Sequence, residues 1–383
     1  MLRLMIDENI PLAQEVFSEF GKIELPPGRA ITNKMLRDVD ALIVRSVTSV
    51  NAALLEGTPV RFVGTATIGL DHVDVDYLRE KNIFFANAAG SNANSVAEYV
   101  VAAILHHICE TKLRLADLTM GVVGVGNAGR QVVRYAEALG MRVLQNDPPR
   151  QRAEKSKNFF HLDDLMRADI ISLHTPLTMN GTDATFHLFD GNRLALMRSG
   201  SLLINTARGG VVETTALKDV LSTGRLFAIL DVWENEPEID GDLLRQVIIG
   251  TPHIAGYSYD GKINGTRHIY EALCEFDKRQ PRWLVDKTKL PPPAKPRIVI
   301  EQQAATTEET LRHIAMAAYD IGNDSTKLKA AITYSKQHRG RHFDELRKNY
   351  PVRREFSSYK ISAKNVDEKL ITTLRALGFE IDT

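Results

Sequence analysis

The run Met120-Gly121-Val122-Val123-Gly124-Val125-Gly126-Asn127-Ala128-Gly129-Arg130 is apolar, breaks into closely spaced glycines and resumes with helical periodicity. It reads as a strand, a tight turn and a helix start. Gly124, Gly126 and Gly129 fit G-x-G-x-x-G: the first permits the turn, the second lets a pyrophosphate approach the backbone, and the third lets helix pack on strand. Phosphates would then meet free N–H groups at the positive end of a helix dipole. Val132, Val133, Ala136 and Leu139 share one helix face, Gly140 marks its stop, and Met141 to Asp147 reads as the next strand. Asp147 ends that strand about 20 residues after the glycines, where a carboxylate accepts hydrogen bonds from ribose hydroxyls and repels a 2′-phosphate. NAD is therefore expected over NADP, although Arg150 and Arg152 close by soften that preference. Asn127 and Ala128, inside the turn, join the cofactor-binding set.

The rest of the chain repeats this rhythm. Apolar runs at Leu2 to Ile6, Ala41 to Val44, Val60 to Gly64 and Ile83 to Ala86 alternate with charged helical stretches such as Val73 to Lys81, which predicts a parallel sheet ahead of the glycine turn. A long helix follows from Asn94, with Ser95 and Glu98 in capping-box spacing. Further runs at Ile170 to Leu173, Leu202 to Ile204, Phe227 to Leu230 and Val247 to Ile249 bring the second sheet to six strands. Lys287 to Pro296 carries Pro291, Pro292, Pro293 and Pro296 and reads as a stiff linker. Beyond it come a strand at Ile298 to Ile300, a helix from Thr306 with Glu309 as capping partner, a strand at Phe356 to Ser362, a helix at Val366 to Leu377 and a short last strand.

At 383 residues the chain exceeds one ordinary core. The expected organisation is α/β throughout. A Rossmann-type NAD domain spans 95–255, a parallel-sheet segment precedes it, and a small α+β domain spans 286–383.

The formal net charge is zero, which gives no general attraction to nucleic acid or an anionic membrane. Cys109 and Cys274 form no disulfide framework and lack metal-ligand spacing, so no metal and a reducing cytoplasm are expected. Asp7 and Glu8 fall where a signal peptide would carry its apolar core, and no window approaches the roughly 20 apolar residues of a membrane span. The basic stretch containing Arg339, Arg341, Arg353 and Arg354 reads as a solvated surface, with contact to a substrate phosphate as the alternative.

Ligands of open parallel sheets bind beyond the carboxyl ends of the strands, and those ends are where the polar residues fall. Arg45-Ser46 and Gly64-Thr65-Ala66-Thr67 follow strands of the first sheet. His174-Thr175-Pro176, Asn205-Thr206-Ala207-Arg208-Gly209, Asp231 to Pro237 and Thr251 to Gly256 follow strands of the second. Arg208, Glu236 and His253 stand at three successive ends. An imidazole takes a hydroxyl proton as hydride leaves the adjacent carbon, and a carboxylate beside it orients the ring. A guanidinium holds a substrate carboxylate through two parallel hydrogen bonds. The three suit oxidation of a 2-hydroxy acid to a 2-oxo acid. His106 and His107 lie on the long helix and read as structural.

With these segments in view, the chain resembles the D-isomer-specific 2-hydroxyacid dehydrogenases over roughly its first 285 residues. The resemblance implies Arg208, Glu236 and His253 as the catalytic set, Asp231 at the nicotinamide carboxamide, and a flavodoxin-like lid or substrate domain built from both ends of that region, 1–94 and 256–285. Val44-Arg45-Ser46, Asn146-Asp147-Pro148-Pro149, His253 to Ser258, Phe343 to Arg347 and Tyr350 to Glu355 are similar to one branch of the family along nearly the whole chain. That branch implies NAD-dependent oxidation of 4-phospho-D-erythronate on a route to pyridoxal phosphate. It also implies substrate contacts from Ser46, Thr67 and Tyr257, NAD contacts from Asp147, Thr175, Asp231 and Gly256, and a C-terminal domain that forms a homodimer. Thr206 and Ala207 are counted with the NAD contacts. Two other readings stay open: a 3-phosphoglycerate dehydrogenase-like or other D-2-hydroxyacid dehydrogenase, and an NAD(H)-sensing binding protein.

Overall fold

The computed structural model describes residues 1–382. Its contacts divide the chain into two compact units, Met1–Asn92 with Ser258–Pro291, and Ala93–Tyr257 with Pro292–Thr383.

The first unit holds a five-stranded parallel sheet of β1 (Leu2–Ile6), β2 (Gly21–Glu24), β3 (Ala41–Val44), β4 (Phe62–Thr65) and β5 (Phe84–Asn87). Their order, β2-β1-β3-β4-β5, is that of flavodoxin-like sheets. Every residue of β3 and β4 is buried, because a parallel sheet is covered on both faces and its central strands need unbroken apolar runs. The edge strand β2 has the sequence Gly-Lys-Ile-Glu, alternating half-buried and exposed, and gave no apolar run to find. Against one face lies the Tyr259–Phe276 helix, whose Ile269, Tyr270 and Leu273 join Leu4, Ile6, Phe17, Phe20 and Phe62 in one cluster. Thr67 Oγ1 bonds Thr65 Oγ1 at 2.7 Å beyond the end of β4, and Ser46 is exposed beyond β3.

The second unit is built on β6 (Thr119–Val123), β7 (Arg142–Asn146), β8 (Ile170–Leu173), β9 (Leu202–Asn205), β10 (Phe227–Leu230) and β11 (Ile249–Gly250), all parallel. The expected six strands are present, in the order β11-β10-β9-β8-β6-β7. This is not the 3-2-1-4-5-6 of the full dinucleotide fold. The position outside β7 is held only by a single parallel bridge from Phe159 to Gln145. Strand order reverses between β6 and β8, which puts the crevice beyond Val123 and Leu173.

Residues 292–382 fold in this same unit. They carry a three-stranded parallel sheet of β12 (Arg297–Ile300), β13 (Lys360–Ala363) and β14 (Glu380–Asp382), ordered β12-β13-β14. Ile298, Leu311, Ile314, Phe356, Leu370 and Leu374 pack in one cluster with Val100, Ile104, Val132 and Tyr135 of the nucleotide-binding part. Burial of such side chains contributes about 1.5–3 kcal/mol each. Thr306 caps the Thr307–Ala318 helix through the Glu309 amide, as its spacing predicts.

Several expectations change. The strand expected at Phe356 to Ser362 begins as a 3-10 turn, Phe356–Ser358, and is extended only from Lys360. Two helices not foreseen, Ile321–Lys329 and Lys336–Lys348, stand between. The second is too charged for its core-facing Phe343 to signal an apolar face. Ser95 and Glu98 make no capping box, because the helix already starts at Ala93 and both side chains bond the C-terminal segment instead. Arg339, Arg353 and Arg354 are buried rather than solvated, leaving Arg341 alone of the four exposed. No described helix is long and apolar enough to cross a membrane.

Candidate active site

The glycine turn is shaped by packing at two of its three glycines. Gly124 has φ +83°, and a Cβ there would stand 2.8 Å from the His174 carbonyl carbon. A Cβ on Gly129 would stand 2.0 Å from the Gly124 carbonyl oxygen, so helix and turn meet without room for a side chain. Nothing lies within 4 Å of a Cβ built on Gly126, the N-cap of the Asn127–Ala138 helix. That opening, at a helix N-terminus with free amides, fits a dinucleotide pyrophosphate. Asp147 Oδ2 accepts the Val125 amide at 2.8 Å and Oδ1 accepts the Arg150 amide at 3.0 Å, tying the end of β7 to the turn. The Thr175 hydroxyl is buried without a protein partner beyond β8.

His174 was read from sequence only as part of a polar strand end, yet it organises this edge. Positions two apart on a strand face the same side. Ser172 Oγ and His174 Nε2 accordingly meet at 2.8 Å, and Thr206 Oγ1 stands 3.2 Å from Nδ1. Desolvation lowers the His174 pKa from 6.5 to about 3. Between those values the unfolded chain binds a proton that the native state refuses, so native stability is complete above about pH 6.5 and falls as pH drops towards 3. Urea unfolding at about pH 7.5 and about pH 4.5 should therefore show a smaller acid loss in His174→Asn than in the parent. Equal losses would mean that His174 titrates normally.

The Arg208 loop is held from within. Asn205 Oδ1 accepts the Ala207 amide at 3.0 Å, and Asn205 Nδ2 donates to the Arg208 carbonyl at 3.0 Å. Gly209 lies flat against Trp233, where a Cβ would come within 1.9 Å of the Trp233 carbonyl carbon. Arg208 Nη1 donates to the Ala207 carbonyl at 2.8 Å.

Glu236 and His253 meet directly. His253 Nδ1 stands 2.8 Å from Glu236 Oε2, while Glu236 Oε1 accepts the Trp233 amide at 2.8 Å. Burial works to raise the Glu236 pKa, but the charge and hydrogen bond of His253, the Trp233 amide and the Arg347 guanidinium outweigh it, and the net shift is downward. The carboxylate is thus ionised, and an Nδ1–H donated to it leaves Nε2 as the basic nitrogen. His253 has φ +55°, a left-handed conformation costing a non-glycine residue about 1–2 kcal/mol. Its amide donates to the Asp231 carbonyl at 2.7 Å, and the Ile254 and Ala255 amides donate to Asp231 Oδ1 and Oδ2 at 2.7 and 2.9 Å. Burial raises the Asp231 pKa, against His253, the Thr251 hydroxyl and these amides.

Two residues of the C-terminal segment reach this loop, and no local sequence signal marks them for it. Arg347 Nη2 donates to Tyr257 Oη at 3.0 Å. Arg353 donates to the Ala255 carbonyl at 2.8 Å. Among the predicted site residues, Gly124 to Gly129, Asp147, Thr175, Thr206 to Arg208, Asp231, Glu236, His253, Gly256 and Tyr257 belong to the second unit, whereas Ser46 and Thr67 belong to the first.

A dinucleotide turn and an imidazole–carboxylate pair at strand ends of one parallel sheet define a nicotinamide-dependent dehydrogenase. The pattern of the D-isomer specific 2-hydroxyacid dehydrogenase NAD binding domain matches residues 94–255, and a domain of unknown function, DUF3410, matches residues 289–378. The erythronate-4-phosphate dehydrogenase of Azotobacter vinelandii is 45% identical over 99% of this chain and 100% of its own length. That of Cronobacter sakazakii is 44% identical over 99% and 98%. A solved D-lactate dehydrogenase from Aquifex aeolicus, in complex with NAD and lactic acid, superposes with a TM-score of 0.58 at 28% identity, covering 72% of this chain and 95% of that one. The chain belongs to the D-isomer-specific 2-hydroxyacid dehydrogenases, and within them to the erythronate-4-phosphate dehydrogenase family. Its cofactor is NAD.

Proposed function

We propose that this enzyme oxidises 4-phospho-D-erythronate at C2 to (R)-3-hydroxy-2-oxo-4-phosphooxybutanoate, a step towards pyridoxal phosphate. The observation that carries the chemistry is the His253–Glu236 contact of 2.8 Å, which directs Nε2 away from the carboxylate. The substrate follows from family membership at 45% identity over 99% of the chain.

Arg208 clamps the substrate carboxylate through its planar fork and polarises the forming carbonyl. His253 Nε2 takes the C2 hydroxyl proton, and Glu236 stabilises the imidazolium that results. Gly124, Gly126, Asn127, Ala128, Gly129 and Asp147 would hold NAD at the glycine turn, where the bound cofactor would supply the acceptor for the hydride leaving C2. Thr175, Thr206, Ala207, Asp231 and Gly256 complete the cofactor contacts, and Ser46, Thr67 and Tyr257 those to substrate. The same reading carries a cytoplasmic enzyme, supported by the two free cysteines, and a homodimer through 286–383.

The test follows NADH formation from 4-phospho-D-erythronate or 3-phosphoglycerate, with and without a 2-oxo acid to recycle bound cofactor. The recycling arm matters because slow NADH release would mask turnover. Turnover with the four-carbon substrate alone is expected. Turnover with 3-phosphoglycerate alone would keep the mechanism and discard the substrate, and tight NADH binding without turnover would favour a sensing protein.

A further inference from the structure

The segment that matches the domain of unknown function enters the active-site loop through the buried Arg353. Arg353 is 6% exposed. Its Nη2 donates to the carbonyls of Ser95 and Ala255, both at 2.8 Å, and its Nη1 stands 3.5 Å from the Ile254 carbonyl. The guanidinium lies over the Tyr319 ring at 4.2 Å from the centroid. Ile254 and Ala255 are the residues directly after His253, and their amides are already held by the Asp231 carboxylate. The loop is therefore gripped on both edges, amides by Asp231 and carbonyls by Arg353.

The grip is anchored in turn. Glu355 accepts from Ser95 Oγ at 2.6 Å and from Asn94 Nδ2 at 2.9 Å, while Glu98 accepts the Phe356 amide at 2.8 Å. These bonds pin the Arg353 segment to the start of the Ala93–Thr111 helix. A left-handed histidine persists only where its surroundings over-determine it. The Ile254 carbonyl also accepts the Tyr257 amide at 2.8 Å, so the Ala255 carbonyl is the point at which Arg353 fixes the loop.

We propose that Arg353 is a positioning residue for the oxidation: it clamps the Ile254 and Ala255 carbonyls, and so holds His253 in register with Glu236. The C-terminal segment is then a working part of the active site, whatever else it contacts. This rests on His253 as the base, which the experiment checks separately.

The full-length parent, Arg353→Gln, Arg353→Lys and His253→Ala are compared for kcat with 4-phospho-D-erythronate and NAD, and for affinity towards ADP-ribose. ADP-ribose engages the glycine turn and Asp147 without the nicotinamide end, so it reports folding of the nucleotide site alone. Arg353→Gln should bind ADP-ribose within about threefold of the parent, yet lose roughly ten- to a hundredfold in kcat, the scale of a displaced catalytic group. Arg353→Lys, which keeps charge without the fork, should recover part of the rate, and it decides the question if Arg353→Gln does not fold. Parent-like kcat in Arg353→Gln would overturn the proposal. So would parallel loss of ADP-ribose affinity and rate, or of the folded state, in both variants. Turnover surviving in His253→Ala would instead remove the base assignment.

Discussion

His253→Ala should reduce kcat by about 10²- to 10⁴-fold, the range contributed by a positioned general base, with NADH affinity unchanged within about threefold. The ring is removed but the loop's backbone bonds are not. The His253 amide still donates to the Asp231 carbonyl, and Asp231 still holds the amides of Ile254 and Ala255. Alanine tolerates the left-handed φ of +55° no better than histidine, so some loss of stability should accompany the loss of rate. Single-turnover kinetics with bound NAD separates the two effects. A variant that loses cofactor affinity and turnover equally would count against His253 as the base.

Arg208→Lys should cost about 10- to 10²-fold in kcat/KM, as expected for one charged hydrogen bond of about 1.5–3 kcal/mol lost from a bidentate pair. The charge survives, but a point ammonium cannot present two parallel N–H donors to a carboxylate. The loop itself should persist, since Asn205 bonds backbone atoms of Ala207 and Arg208 and Gly209 packs on Trp233. Lactate and glycerate analogues sharpen the test. If the arginine clamps the carboxylate, short hydroxy acids should suffer as much as the phosphorylated one. Near-parent kcat/KM would remove the clamp.

The two arginines differ in how legible they are. Arg208 was marked by its place at a strand end, with Glu236 and His253 at the next two. Arg353 carried no such mark. Arg339, Arg341, Arg353 and Arg354 look in sequence like a solvated face, and the burial of Arg353 depends on the Ser95 carbonyl and the Tyr319 ring, supplied from far along the chain. His174 lies between these cases. Ser172-x-His174 is a same-face pair on a buried strand, and a polar residue inside an otherwise apolar run was the available signal. The edge strand β2 escaped for the opposite reason, having almost no apolar content of its own and taking its conformation from pairing with β1.

What the sequence determined by itself is whatever local periodicity and local sterics decide. Buried parallel strands must be apolar throughout, a dinucleotide turn needs glycines at fixed spacing, and functional groups in such sheets gather at strand ends. Those constraints placed β6 to β10, the glycine turn and the strand ends that carry Arg208, Glu236 and His253. The tertiary structure alone decided which partners those groups meet. Glu236 and His253 are 17 residues apart and Arg353 and Ala255 are 98 apart. Contacts at such separations follow from how strands order and segments pack, which no window of neighbouring residues encodes.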